Sequence, residues 1–406
     1  MPELTRTENN FIFLLRAALA ERAVEVREIL PDDDASEFDA RGILRLAYNH
    51  KLWHMILSVM PRELIPEGID RRSELFRRVA AQVTVTSTFI DIWSAMADAG
   101  FHPIVVKGIV CRTLYLHPEL RPSSDEDLYI SGSEFEACCE FLESIGMKPD
   151  KKPYSDFGEI GWYGKGGLYI ELHRDLFEGE VFRLIGEFFD FNSLPKYSYP
   201  THYDTTIVSM TPHDHFLYLL LHAYKHFVHS GFGIRQICDI GIWAREYGEL
   251  VDWHKLGEQC DRVGIRGFVK AVLGIAKLLE ITFSLPDEWK CDDDYSIPML
   301  TDVLRGGIYG LADTDRVHSS TMTLNAVSAS KAKKEYSLIR SVFPSKKSLE
   351  GRYPYLKKHP ILLPVAWCTR IVSYAKRSSA GETHAAKSIA IGKERIELLR
   401  VYGLIE

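Results

Sequence analysis

The 406-residue chain contains no apolar run approaching the length that crosses a bilayer, and its N-terminus lacks a basic segment followed by an apolar core and a small-residue cleavage site. A membrane-spanning or exported protein is therefore not expected, and the expected location is the cytoplasm. The apolar segment Ile361-Leu362-Leu363-Pro364-Val365-Ala366 is too short to span and is broken by proline. Cysteine is sparse. Seven residues (Cys111, Cys138, Cys139, Cys238, Cys260, Cys291, Cys368) form no Cys-x-x-Cys pair and are odd in number, which argues against a zinc cluster and a full disulfide framework. They are expected to be reduced and mostly structural. What remains, 46% hydrophobic and 26% charged residues, fits a soluble globular chain of two or three domains.

Residues 103–130 hold the densest chemistry. Ile104, Val105 and Val106 form a β-branched run suited to a buried strand, and Lys107-Gly108 allows a tight turn after it. Ile109 to Leu116 carries apolar residues at helical spacing until Pro118 stops it. Arg121-Pro122-Ser123-Ser124 reads as a turn, after which Asp125-Glu126-Asp127 runs into a second strand at Leu128-Tyr129-Ile130. Alternation along a strand turns Asp125 and Asp127 to one face. Two such carboxylates raise each other's pKa unless a cation lies between them, and a hard divalent ion, magnesium first, is the usual solution. Gly108 at a helix N-terminus, with Lys107 beside it, offers amide donors, a helix-dipole field and a cation to a phosphate.

This arrangement resembles the nucleotidyltransferase superfamily with a polymerase-beta-like core, and within it a bacterial family whose motif runs Leu-Lys-Gly, helix, Arg-Pro-x-x-Asp-x-Asp-Leu. The matching residues are Val106-Lys107-Gly108, Arg121-Pro122 and Asp125-Glu126-Asp127-Leu128. Weaker matches follow at Ile170-Glu171-Leu172-His173, His222 and His226, Arg235 with Asp239, and Arg352-Tyr353-Pro354-Tyr355-Leu356. The superfamily's usual Gly-Ser pair is Lys-Gly here, so its way of holding phosphate does not carry over directly. Glu126 replaces the apolar residue more often found between the aspartates and is expected to face away from the metals.

The resemblance implies an α+β protein: a polymerase-beta-like core, a small mixed sheet with helices, flanked by helical N-terminal and C-terminal regions. It implies transfer of an NMP group from an NTP to a hydroxyl acceptor with release of pyrophosphate. Two magnesium ions, with manganese as an alternative, would be held by the catalytic carboxylates Asp125, Asp127 and Glu171. Lys107, Gly108, Arg121, Ser124, His173, His222, Lys225 and His226 would contact the nucleotide or its phosphates. Asp175 is a reserve for the third carboxylate if its strand persists, and Arg121 could equally pin the turn by pairing with a carboxylate. A different reading is a nucleotide-binding or assembly module without turnover, which Lys107-Gly108 and Glu126 would fit. Against it, three acidic residues are costly to keep together without a cation.

The flanks divide into a helical segment over 1–99, the core over 100–205, a helical domain closing the cleft over 206–306, and a loop with a basic helical tail over 307–406. In the first segment Phe11 to Leu19, Gly42 to Met60 and Arg72 to Ala99 carry helical stripes, the last including Phe76, Val79, Val83, Phe89, Ile92 and Met96; a supporting role without chemistry is expected. Ser133 to Ile145 reads as a helix with Ser133 as N-cap and Gly146 closing it. Phe157 to Tyr163 and Leu168 to His173 read as a hairpin around Gly164-Lys165-Gly166-Gly167.

Thr211-Pro212 opens a helix rich in histidine (His213, His215, His222, His226, His229). The His222-x-x-x-His226 pair lacks the glutamate of the zinc-protease signature, so the choice lies between a cationic or hydrogen-bonding face over phosphates and core or surface histidines. Arg235 and Asp239, one turn apart, suggest a local ion pair. Residues 252–306 read as helices, and 307–330, rich in Gly, Ser and Thr, as a loop. Between Lys331 and Arg377 twelve Lys or Arg face only Glu335 and Glu350; this local +10, in a chain of −7, leaves −17 elsewhere. Tyr353, Tyr355 and Trp367 interleave with it, which suits RNA, a phosphorylated substrate or an anionic membrane surface, or else a solvated basic face.

Overall fold

A capping box starts the first helix, α1 (Arg6–Leu19): Thr5 Oγ1 accepts from the Glu8 N–H at 3.2 Å while Glu8 Oε2 accepts from the Thr5 N–H at 2.7 Å. Phe11, Ile12, Leu14 and Leu15 then form its buried stripe. The computed structural model describes residues 4–30, 38–154, 158–177, 188–189, 195–229, 231–310, 314–331, 343–350, 353–379 and 385–405. The stripe from Gly42 to Met60 is two helices, α2 (Ala40–Asn49) and α3 (Trp53–Val59), because Lys51 takes a left-handed φ of 56° between them. A long helix follows, α4 (Arg71–Asp98), capped by Asp70. Its C-terminal half buries Phe89, Trp93 and Met96, but earlier the inward face is polar, Gln82 and Thr86, while Phe76 is 74% exposed.

The α+β architecture centres on a small mixed sheet of β1 (Ile104–Val106), β2 (Glu126–Tyr129), β3 (Lys148–Pro149), β4 (Glu159–Tyr163) and β5 (Tyr169–His173), in the order β1-β2-β5-β4-β3. β2 and β5 run parallel, with Asp127 beside Glu171; the other neighbours are antiparallel. Strand residues Val105, Leu128, Ile160, Ile170 and Leu172 are all buried in the main core. The turn after β1 leads to α5 (Gly108–Arg112), one short helix rather than one reaching Leu116. Next to β2 comes α6 (Phe135–Ser144); its N-cap is Glu134, without a side-chain cap bond, and Ser133 instead lies 3.0 Å from Ser131 Oγ. Gly146 closes it at φ 91°. The expected β4–β5 hairpin is present, its turn a 3-10 segment at Lys165–Gly167; Phe157 lies outside the described residues.

A two-stranded ribbon, β6 (Lys196–Pro200) and β7 (Thr206–Met210), leads into α7 (Pro212–His229) and α8 (Ile234–Tyr247). Three more helices follow as expected: α9 (Trp253–Val263), α10 (Arg266–Leu278) and α11 (Asp293–Gly306). The stretch read as a loop is mostly a helix, α12 (Thr314–Lys331), packed on α7 and on the last helix of the chain at Ala385–Val401. Burial of Met322, Ala326 and Val327 overrides its low intrinsic propensity, and Thr323 Oγ1 donates to the Val228 carbonyl at 2.7 Å.

The basic tail falls partly on residues outside those described, Arg352 among them. Its described part forms a small separate cluster of Leu349, Leu356 and Ala366, with the Trp367 indole donating to the Pro344 carbonyl at 2.9 Å. Among the described residues no helix is long and apolar enough to cross a membrane.

Candidate active site

The end of β1, the start of α5 and the adjacent strands β2 and β5 bring the chemistry together. Lys107 holds a non-glycine backbone at φ 57° and ψ −129°, a conformation that costs roughly 1–3 kcal/mol and persists only where neighbours enforce it. The neighbour is His215 on α7: its Nε2 accepts from the Lys107 N–H at 3.1 Å, and its Nδ1, 3.2 Å from Ser209 Oγ, faces a hydroxyl that donates to the Val105 carbonyl at 2.5 Å. That pattern requires a neutral imidazole. Burial, and then the Lys107 charge, push the His215 pKa down to about 3. Sequence reasoning placed His215 only in a histidine-rich helix; its reach to Lys107 spans 108 residues, which no local pattern carries.

Gly108 has a φ of 43°, and a Cβ there would lie 2.0 Å from Glu126 Oε2, so both backbone and space require glycine. Glu126 faces away from Asp127, as alternation demands. It accepts from the Ile109 N–H at 2.7 Å and pairs with Arg112 at 2.8 Å, both side chains being 1% exposed. This carboxylate occupies the N-terminal turn of α5, where a phosphate was expected to sit.

The Lys107 ammonium points to the opposite face, 2.9 Å from Asp127 Oδ2. Asp127 Oδ1 lies 3.3 Å from His173 Nε2, which is itself 3.8 Å from Glu171 Oε2. The buried His173 Nε2 has no aligned hydrogen-bond partner. Burial alone would raise the Asp127 carboxyl, but the Lys107 ammonium, and after it His173, hold it well below the usual range. Glu171 behaves oppositely: burial, then the charges of Asp127, Asp125 and Glu159, raise it to about 7. Ligand atoms of Asp127, Glu171 and His173 all lie within 4.8 Å of one another. Two carboxylates and an imidazole with an unsatisfied nitrogen form a donor set that suits a divalent ion of the magnesium or manganese type, the imidazole favouring manganese.

Asp125 stands just ahead of β2, half-buried and outside that cluster, though its charge reaches Glu171. β5 ends at His173, so Asp175 does not continue its alternation; it lies near Ser131 and Ser133. His222 and His226 do reach the site, with His222 Nε2 3.4 Å from Lys107 Nζ and 2.9 Å from His226 Nε2. They are not cationic. Burial first and the Lys107 charge second drive His222 well below its ordinary value and His226 to about 3, with Lys225 adding to both. The helix face is therefore a hydrogen-bonding one. Among the described residues neither histidine belongs to a cluster of metal ligands.

Two expectations need correction. Asp239 does not pair with Arg235; it accepts from Arg121 Nε at 3.0 Å and Nη2 at 2.5 Å and from the Tyr115 hydroxyl at 2.8 Å. Arg121 is 2% exposed, and its remaining Nη1 donates towards the Gly108 carbonyl at 3.4 Å. Of the two roles open to it, pinning the turn is the one the contacts support; a phosphate would find no accessible face. Arg235 donates to the Pro122 carbonyl instead. Ser124 is exposed and accepts from Lys51 Nζ. The first hundred residues thus contact the loop ahead of β2. A cavity of about 1160 Å³ between α1, α3 and residues 113–120 is lined by none of the carboxylates of this site.

A family model described as uncharacterised nucleotidyltransferase matches residues 36–279, from ahead of α2 to the end of α10. No curated protein and no solved structure matches the chain.

Proposed function

Since the chain belongs to the uncharacterised nucleotidyltransferase family, we propose that it moves an NMP group from an NTP to a hydroxyl acceptor and releases pyrophosphate, on a polymerase-beta-like core. The observation that carries this reading is the meeting of Asp127, Glu171 and His173 beside Lys107. Asp127, Glu171 and His173 would hold a divalent cation, magnesium or manganese, with Asp125 left for a second; such ions neutralise a triphosphate and acidify an acceptor hydroxyl.

The chain's own residues divide the remaining work. Glu171, raised to about 7 in the metal-free protein, would be held ionised by a bound cation and would then assist removal of the acceptor's proton. The acceptor oxygen bonds to the α-phosphorus as the bond to the pyrophosphate oxygen breaks in line. Lys107 sets a positive charge on the same side as Asp127, and neutral His222 and His226 offer ring nitrogens to the substrate. Glu126, whose unusual place between the aspartates would fit an inactive module, is accounted for by its buried pair with Arg112. The proposed setting is the cytoplasm.

The test is turnover. Full-length protein is incubated with each α-labelled NTP, magnesium or manganese, and fractionated hydroxyl acceptors, and pyrophosphate release is followed. The reading expects metal-dependent label transfer that Asp127→Asn lowers at least a hundredfold. Nucleotide binding without transfer to any acceptor would favour the non-catalytic module.

A further inference from the structure

Three cations from separate parts of the chain gather around the loop that leads into β2, two bonded to it directly and one through Gln82. Lys51, at the break between α2 and α3, donates to Ser124 Oγ. Arg78 on α4 donates to Gln82 Oε1, which also accepts from the Ser123 N–H at 3.4 Å. Arg235 on α8 donates to the Pro122 carbonyl. The nearby Arg112 and Arg121 are each matched by a buried carboxylate, Glu126 and Asp239. Among the described residues no such partner matches Lys51, Arg78 or Arg235, and the Nε atoms of Arg78 and Arg235 are buried without an acceptor.

Gathering like charges in partly buried positions is unfavourable unless an anion enters between them. The strain is felt by the groups themselves. Burial, then the Arg235 charge, lower the Lys51 pKa, and burial, then Arg112 and Arg235, lower that of Arg78 to about 10. Asp125 alone pulls Lys51 the other way, and the same Asp125 charge acts on Glu171, so the cationic cluster adjoins the carboxylate cluster. Ser124 is exposed and Lys51 and Arg78 are half-buried, so a ligand would reach the cluster through these residues, with Arg235 buried at 6% exposure and adding its charge from below the surface.

We propose that Lys51, Arg78 and Arg235, around residues 122–125, form an anion subsite for the β- and γ-phosphates of the nucleotide and for the pyrophosphate released from it. The assignment rests on the transferase reading above and supplies the phosphate contacts that Arg121 cannot make. Lys51 bonded to Ser124, Arg235 bonded to Pro122, and Arg78 linked to Ser123 through Gln82 form a compact cationic group that fits a multiply charged anion. A nucleic acid strand would be met by charges spaced along a groove with stacking aromatics.

Binding of inorganic tripolyphosphate to the full chain, measured by calorimetry in EDTA, separates this proposal from turnover. The wild type is expected to bind it, and Lys51→Gln and Arg78→Gln, both at half-buried positions and checked for an unchanged melting temperature, are each expected to weaken binding tenfold or more. NTP affinity falls in parallel, while binding of the phosphate-free nucleoside does not. No binding to the wild type, or affinity unchanged in both variants, overturns the subsite. Tripolyphosphate binding that depends on these residues in a protein with no transferase activity supports the subsite and refutes only the transferase reading. Single-stranded RNA bound through Lys51 and Arg78 that tripolyphosphate fails to displace overturns the proposal in favour of a nucleic acid site.

Discussion

Replacing Asp239 by alanine tests whether Arg121 is a structural pin or a phosphate ligand. In the wild type the Arg121–Asp239 pair is almost sealed from water, with side chains 3% and 7% exposed, and Asp239 also accepts from the Tyr115 hydroxyl. Losing one partner of a buried ion pair costs roughly 3–5 kcal/mol, because the other charge is left unmatched in a low dielectric. The unpaired Tyr115 hydroxyl adds about 1 kcal/mol more. Since whole domains are stable by only about 5–15 kcal/mol, Asp239→Ala and Arg121→Met should each lose a large part of the folding stability in urea titrations. The double variant Arg121→Met with Asp239→Leu removes both charges together and should be less destabilised than the sum of its parts. At temperatures where it stays folded, Arg121→Met should bind NTP almost as the wild type does. Near wild-type stability combined with a tenfold loss of nucleotide affinity would refute the ion-pair account and return Arg121 to the phosphate.

Glu126→Ala strands Arg112 and removes the acceptor of the Ile109 N–H, so a loss of about 3–5 kcal/mol is expected by chemical denaturation; a loss under about 1 kcal/mol contradicts the pair. Acid should destabilise the fold well before most carboxylates titrate. Burial holds His50 at about 4, and burial with Lys107 holds His215 at about 3, whereas the unfolded chain protonates them near 6.5. The unfolded state therefore binds more protons over that interval. This stability is complete above pH 6.5 and falls as pH drops, by roughly 3 kcal/mol per histidine at pH 4 from about 1.4 kcal/mol per pKa unit. A flat profile of stability between pH 7 and 5 would contradict it. Manganese affinity should rise as pH goes from 6 to 8, because Glu171, near 7 in the metal-free protein, must lose its proton to bind; calorimetry in buffers of different ionisation enthalpy should detect that released proton, and affinity independent of pH would remove Glu171 from the ligand set.

The local chemistry of the site was legible because its signals are local. A β-branched run, a Lys-Gly turn and an Asp-x-Asp strand are read residue by residue, and the hairpin turn at Gly164 to Gly167 brings Glu171 onto a second strand. The strand pairing that sets Glu171 beside Asp127 is long-range, and resemblance rather than pattern pointed to it. The misreadings share a cause. Asp239 was given to Arg235 by helical spacing, yet its partner Arg121 is 118 residues away and wins because both are buried where a bidentate pair fits. Residues 314–331 have the composition of a loop and become helix through packing on α7 and the last helix. On α4 the apolar stripe included Phe76 and Val83, which are exposed, whereas Gln82 is buried and its carbonyl oxygen receives Arg78 and Ser123. The cationic cluster has no sequence signature at all, because its three members come from separate parts of the chain.

A divalent-metal nucleotide site on β2 and β5 can be measured by calorimetric titration of the four NTPs with and without magnesium or manganese, on wild type and on the pair Asp127→Asn with Glu171→Gln. Binding is expected to tighten with the metal and, in its presence, to fall at least a hundredfold in the paired variant. Binding of equal strength in EDTA and in that variant would contradict it.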